Sequence, residues 1–348
     1  MNRPQKLLDI VSIGGGTGLS YLLKGLKPSV AQPSYVEAPA GKPWISRLTA
    51  VVTVSDDGGS SGKLRDELRV LPPGDIRNCL VALSADESLM SHLFQYRFPG
   101  AGGLQDHSFG NLFLTALTGV TGDFLKAIRL TSEVLAIRGR IYPSTLEDVR
   151  LVAETTSGER LNGESAISRT STRIRKIALT PRTCQPVPAV IQALRDADII
   201  TLGPGSLYTS LLPNLLVRGI AKEIRKSAAL KIYIGNLMTQ AGETTGFTAA
   251  DHVEAIRQHA RSRLFDVIIL NRKPIAAAVL ARYRKQGSVP VATDRDRLSE
   301  QGLEIYQGDL LAQANVVRHD PGLLAKAVQA SYERWKTRAA ESKQTVLV

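Results

Sequence analysis

A compact apolar run, Leu8 to Ile13, breaks directly into Gly14-Gly15-Gly16-Thr17-Gly18 and then into a helical pattern from Leu19 to Leu26. No other stretch limits the fold as much. Successive glycines let the backbone take positive φ and turn several N–H groups toward one point, and the helix that follows adds the positive end of its dipole. Strand, glycine turn and helix entry in that order predict an α/β unit whose loop holds an anion, with phosphate as the natural guest. A tight turn without a ligand is the plain alternative. Two common versions are excluded: Leu19 stands where the dinucleotide fingerprint G-x-G-x-x-G needs its third glycine, and no Gly-Lys-Ser/Thr supplies a Walker lysine.

The same alternation continues along much of the chain, which predicts a parallel sheet covered by helices. Residues 28 to 47, rich in Pro, Gly and Ala, read as a loop or irregular insertion, and Leu48 to Val54 as a second buried strand. Asp75 to Ile137 carries helical periodicity broken by the turn-rich Pro99 to Asp106. The shorter alternation of Val149 to Thr155 and Arg173 to Leu179, with a turn at Ser157-Gly158-Glu159, places a small α+β lobe around residues 140 to 182. The α/β rhythm then returns: a helix before Asp196, strand Asp198 to Leu202, helix Leu216 to Lys226 and strand Leu230 to Ile234. A helix from Thr248 to Ala260 follows, with Asp251 at the reciprocal position of a capping box, and then strand Phe265 to Leu270. The prediction is one α/β domain over residues 7–335, a Rossmann-like, doubly wound, mainly parallel sheet with the small inserted α+β lobe. The tail, 336–348, is expected to fray.

A chain of 348 residues with 43% hydrophobic content can bury its core without disulfides or metals. Cys79 and Cys184 are the only cysteines and have no paired spacing, so no disulfide framework, zinc site or iron–sulfur cluster is expected, nor haem or flavin. Arg3 and Lys6 precede a short apolar stretch that lacks a cleavage site, and no run reaches the roughly 18 apolar residues of a membrane helix. A soluble, cytoplasmic protein without membrane insertion is expected. The net charge of +12 attracts polyanions, but the basic residues fall in small groups, Arg169 to Lys176, Arg257 to Arg263 and Arg282 to Lys285, with aromatics at only 5%. Solvated helix faces and a small phosphate-bearing ligand explain the charge better than nucleic acid does.

Four further loops carry chemistry. Ser55-Asp56-Asp57-Gly58-Gly59-Ser60-Ser61-Gly62 follows the second strand, so its carboxylates lie beside the glycine loop. Asp56 and Asp57 are candidates to hold Mg²⁺, grip ribose or act as a base, against the alternative of a helix N-cap for at least one of them. Lys63 and Arg65 begin the following segment and are candidates to meet phosphate, against the alternative of cations solvated on a helix face. Pro72 to Asn78 joins a rigid turn, an N-cap aspartate and a cation at a helix start. In His107-Ser108-Phe109-Gly110-Asn111, His107 is a candidate base and Asn111 a backbone or ribose contact. Gly203-Pro204-Gly205-Ser206 offers a second anion nest, and Asn236 ends the strand after it. Loops of this kind after four strands predict one ligand edge.

These motifs, with Leu207-Tyr208-Thr209-Ser210 and Gly235-Asn236-Leu237-Met238-Thr239-Gln240, resemble the YvcK branch of the CofD-like family over roughly residues 8 to 330. The resemblance implies a Rossmann-like core that binds UDP-sugars such as UDP-N-acetylglucosamine, in proteins associated with cell shape, cell-wall supply and growth on gluconeogenic carbon. CofD relatives are Mg²⁺-dependent transferases of 2-phospholactate to a deazaflavin. The loops here have the longer YvcK form, so that reaction is not carried over. By resemblance the nucleotide set is Gly14, Gly15, Gly16, Thr17, Gly18, Leu19, Asn78, Asn111, Gly203, Gly205, Ser206, Asn236, Tyr283 and Arg318. Tyr283 and Arg318 enter only through the resemblance, as an aromatic and a guanidinium suited to a nucleotide-sugar.

The leading expectation is a UDP-sugar-binding regulatory factor with protein partners, able to form a homo-oligomer. The alternative is an Mg²⁺-dependent transferase of a phosphate-linked group from a nucleotide carrier. A nucleic-acid-binding regulator is the remote third.

Overall fold

The computed structural model describes residues 6–31, 42–85, 89–100 and 102–345. Ten strands organise it. They are β1 Leu8–Gly14, β2 Ile45–Val52, β3 Arg140–Pro143, β4 Arg150–Thr155, β5 Arg160–Asn162, β6 Ile174–Thr180, β7 Ile199–Leu202, β8 Leu230–Ile234, β9 Val267–Asn271 and β10 Glu304–Gly308. Seven form one sheet in the order β10-β9-β8-β7-β1-β2-β3, with every neighbouring pair parallel. Side chains leave each strand alternately to two faces, and each face has its own core. In β1, Leu8 and Ile10 join one core while Val11 and Ile13 join the other. The first core receives helices Gly16–Leu26, Gly74–Leu83, Phe109–Thr121, Phe124–Val134 and Pro321–Thr345; the second receives Pro188–Asp196, Leu212–Leu216, Ile220–Lys226 and Ala249–Ala260.

Strand order fixes where a ligand belongs. The chain runs outward from β1 to β2 and β3, then returns to β7 on the other side of β1 and continues to β8, β9 and β10. Connections reverse direction between β1 and β7. At such a point the loops leave the carboxyl ends on opposite sides and a crevice opens between them. This is the doubly wound α/β sheet that the sequence predicts.

The lobe is a three-stranded antiparallel sheet, β5-β4-β6, with the short helix Glu164–Ile167. It begins later than expected. Arg140–Pro143, assigned to the lobe from sequence, is the edge strand of the main sheet, with Ile141 buried beside β2. Four residues carry too little pattern to separate a parallel edge strand from a lobe strand. Likewise β2 starts at Ile45, inside the segment expected as an insertion, because Trp44 and Ile45 are buried; residues 32–41 of that segment lie outside the described residues. The capping box is present, with Asp251 N–H donating to Thr248 Oγ1 at 3.2 Å and Thr248 N–H donating to Asp251 Oδ2 at 2.9 Å.

Helix starts and stops differ in two places. The loop after β7 opens directly into helical turns, Leu207–Leu211 and Leu212–Leu216, and the helix expected from Leu216 starts at Ile220 instead. The final helix runs through 336–345, expected as a frayed tail, because Leu324, Ala327 and Val328 bury its first turns and Tyr332 and Trp335 pack after them. Residues 346–348 lie outside the described residues.

Candidate functional site

The turn after β1 needs its glycines for three separate reasons. Gly16 sits at φ +59°, in the left-handed region. A Cβ on Gly15 would stand 2.6 Å from both Asp75 Oδ2 and Thr53 Cγ2. One on Gly18 would stand 2.3 Å from the carbonyl oxygen of Pro204, so the loops after β1 and β7 touch backbone to backbone. The helix Gly16–Leu26 has no cap from its own N-cap residue and no acid in its first turn, so a group from outside the helix can meet its leading N–H groups. Leu19 faces the other way, fully buried in the core.

A cleft of about 460 Å³ opens over this turn. Of the residues expected at the ligand, Gly15, Gly16, Thr17, Gly18, Gly205, Ser206, Asn236, Tyr283 and Arg318 line it. Gly14 and Gly203 stand behind it as structural members: the Gly14 carbonyl accepts from Thr53 N–H and Asn214 Nδ2, both at 3.0 Å, and Gly203 N–H donates to the Ile13 carbonyl at 2.9 Å. On the far wall, Arg318 Nη1 donates to Tyr21 Oη at 2.6 Å with its guanidinium 5.3 Å from that ring, and Tyr283 Oη accepts from Val317 N–H at 3.1 Å. Gln240 Nε2 donates to Ser206 Oγ at 2.7 Å and ties the loop after β8 to the loop after β7.

The acids divide into two groups. Asp75, on the helix Gly74–Leu83, reaches the glycine turn, with its carboxylate oxygens against Gly15 and Gly16. Burial, together with the nearby charge of Asp56, pushes its carboxyl up to about 7. Glu164, from the lobe, also lines the cleft; burial and then Asp56, Asp75, Glu243 and Asp57 push it up to about 9. Asp56 turns back on its own loop, with Oδ1 accepting from Gly58 N–H at 2.8 Å, and burial raises its carboxyl too. Asp57 leaves this group: its Oδ1 accepts from Ser165 N–H at 2.9 Å and so caps the lobe helix that carries Glu164. Among the described residues, no group of three or more His, Cys, Asp or Glu is placed to hold a metal ion by itself.

Asn78, His107 and Asn111 lie outside the cleft lining: His107 and Asn111 are buried and meet at Ser60, while Asn78 is half-buried and pairs with Arg77. Asn111 Nδ2 donates to Ser60 Oγ at 3.0 Å, His107 Nδ1 lies 3.0 Å from the same oxygen, and Asn78 Oδ1 accepts from Arg77 Nη2 at 2.7 Å. Burial, and then repulsion from Arg97, lowers Arg77 to about 10 against the attraction of Asp75 and Asp56. Arg65 does not face a phosphate: it is 2% exposed, with Nε donating to Asp148 Oδ1 at 2.9 Å, and it anchors the start of the lobe.

Sequence reasoning missed Tyr21, Asp75, Glu164, Gln240 and His319 as cleft residues. Asp75 and Gln240 lie inside the loop motifs themselves, but the sequence predicts Asp75 as an N-cap; the N-cap position is Pro73, and Asp75 occupies the first turn. His319 is 6% exposed, its Nε2 has no partner, and burial lowers it to about 4, so it is neutral. Nothing in the local sequence signals Glu164 or His319, because each reaches the cleft only through tertiary folding.

The family model described as 2-phospho-L-lactate transferase CofD matches residues 10–311. A Bacillus subtilis protein described as gluconeogenesis factor is 46% identical over 312 residues, 89% of this chain and 94% of that protein. One of the same description from Halalkalibacterium halodurans is 44% identical over 324 residues, 93% of this chain and 96% of that one. A crystal structure of a UPF0052-family protein from Bacillus halodurans, 43% identical, superposes with a TM-score of 0.86 over 93% of this chain and 99% of that one. With the switch-point cleft and the long motifs in register, the chain belongs to the CofD family, in the branch of the gluconeogenesis factors.

Proposed function

We propose that the cleft binds a UDP-sugar, with UDP-N-acetylglucosamine as the reference ligand, and that the protein is a regulatory factor linking gluconeogenic carbon metabolism to cell-wall synthesis and cell shape. The observation that carries this reading is the meeting of two anion-binding turns, after β1 and β7, with Tyr283 and Arg318 on the wall opposite. The diphosphate takes the leading N–H groups of helix Gly16–Leu26 and displaces the Asp75 carboxylate from Gly16. Tyr283 offers a ring for the base, and Arg318 a planar donor for phosphate. The relatives described as gluconeogenesis factors support the regulatory part.

Mg²⁺, where bound, neutralises diphosphate charge, and a site shared with phosphates needs only one or two carboxylates. Asp56 and Asp75, both raised and repelling each other, fit that requirement. Asp57 is engaged by Ser165.

Isothermal titration with UDP-N-acetylglucosamine, with and without Mg²⁺, tests the reading. Binding in the micromolar range is expected; none below about 1 mM, roughly −4 kcal/mol, overturns it. A transferase of a phosphate-linked group is the second reading, favoured by one observation: Asp75 and Glu164, two acids able to carry protons near neutral pH, line the same cleft. Turnover of bound UDP-sugar, or transfer to an added acceptor, decides for it.

A further inference from the structure

Two of the three basic runs in the sequence meet on the small lobe. Ile177 N–H, on β6, donates to His259 Nε2 at 3.1 Å, which joins the segment Arg169 to Lys176 to the end of helix Ala249–Ala260 and the Arg257 to Arg263 run. At this junction lies a groove of about 700 Å³ that shares no lining residue with the nucleotide cleft. Arg175, Lys176, Arg182 and Arg261 line it and are exposed. A smaller depression of about 320 Å³ across β6 shares Lys176 and Arg182 and adds Arg160. Glu154 is the single carboxylate on either surface, and it is paired with Arg175. Among the described residues, Arg160, Lys176, Arg182 and Arg261 have no carboxylate partner. Like charges gathered without counter-charges set up a local field that an anionic partner relieves.

The walls say which kind of anion. Bases of single-stranded nucleic acid need aromatic platforms, and the groove has no Phe, Tyr or Trp in its lining. Between the cations the half-buried Ala178 and Leu216 add a small apolar surface, and the groove follows β6, the edge strand of the lobe sheet, whose Ile177 and Leu179 side chains face the core. A strand edge lined by cations that lack carboxylate partners, with a small apolar surface between them, suits an extended polypeptide that carries carboxylates. We propose that this groove docks an acidic, extended segment of a partner protein. The site lies beyond the nucleotide reading and does not depend on it.

Fluorescence anisotropy of a labelled ten-residue polyglutamate peptide, with the full chain at low salt, tests the proposal. The wild type should bind it, and the double variant Lys176→Glu, Arg182→Glu should weaken binding by about tenfold or more with an unchanged thermal midpoint. Charge reversal at Arg282 and Arg284, in the third basic run, should leave peptide affinity within about twofold. Equal losses in both double variants overturn the proposal, since net charge alone then explains binding. It is also overturned if the Lys176/Arg182 variant binds like wild type, or if an oligothymidylate of matched charge binds more tightly than the peptide.

Discussion

Asp57 Oδ1 accepts a hydrogen bond from the backbone N–H of Ser165 at 2.9 Å, across 108 residues of sequence. Gly163, just before the lobe helix, sits at φ +89°, and a Cβ there would stand 1.8 Å from Asp57 Oδ2. The loop after β2 and the lobe helix are therefore built around one carboxylate, and Glu164 reaches the cleft from the helix that this carboxylate caps. Asp57→Ala should lower stability by about 1–2 kcal/mol, the usual cost of a lost cap, and Asp57→Asn by less. Limited proteolysis between residues 160 and 172 should quicken in the alanine variant. Wild-type cleavage kinetics there would show that the lobe is held by other contacts.

Gly18→Ala isolates the contact between the two anion-binding turns. Its backbone conformation is ordinary, so the cost arises from the Cβ that meets the Pro204 carbonyl at 2.3 Å and forces the loops after β1 and β7 apart. Gly16→Val adds left-handed strain of about 1–3 kcal/mol in the turn itself. Both variants should keep the native circular dichroism spectrum and lose at least about tenfold in nucleotide-sugar affinity by titration calorimetry. Unchanged affinity in both would reduce the glycine stretch to a turn.

Much of this was legible in the sequence because the signals are local. Glycines after an apolar run mark β1 and its turn, and the Thr248–Asp251 pair marks a helix start to the residue. Edge elements were not legible: β3 has four residues and β10 is only half-buried along its length, so neither shows a clean period. Within the site, strand-end loops declared themselves, whereas roles that depend on a distant partner did not. Asp57 and Arg65 look like ligand residues beside the glycine turn until Ser165 and Asp148 are seen to hold them. Asp75 looks like a cap until Gly16 is seen to meet it.

The raised acids invert the usual pH dependence. A carboxyl whose folded pKa exceeds its unfolded value binds more protons in the native state, so its contribution to stability is complete below the unfolded pKa and falls as pH rises toward the folded one. For Asp75 that window runs from about 4 to about 7, and for Glu164 from about 4.5 to about 9. The thermal midpoint should fall between pH 5 and 9. Asp75→Asn should flatten the lower part of that slope and gain about 1 kcal/mol at pH 8. A midpoint that does not fall over this range would mean that neither acid is raised in the folded protein.

Arg318 and Tyr21 provide the last test, because their pairing separates a guanidinium from a simple positive charge. Arg318 is exposed, donates to Tyr21 Oη at 2.6 Å and lies over the Tyr21 ring, so Tyr21 holds the guanidinium at the cleft wall without burying it. Arg318→Lys keeps the charge and loses the planar fork; Arg318→Ala loses both. If the fork contacts phosphate, both variants should weaken UDP-N-acetylglucosamine by about tenfold or more, with alanine the worse and thermal midpoints unchanged. If charge alone matters, lysine should restore nearly full affinity at low salt and lose it as salt rises. Tyr21→Phe keeps the ring but removes the hydroxyl acceptor, so it should cost less than either arginine variant, and an equal loss would transfer the contact from Arg318 to Tyr21.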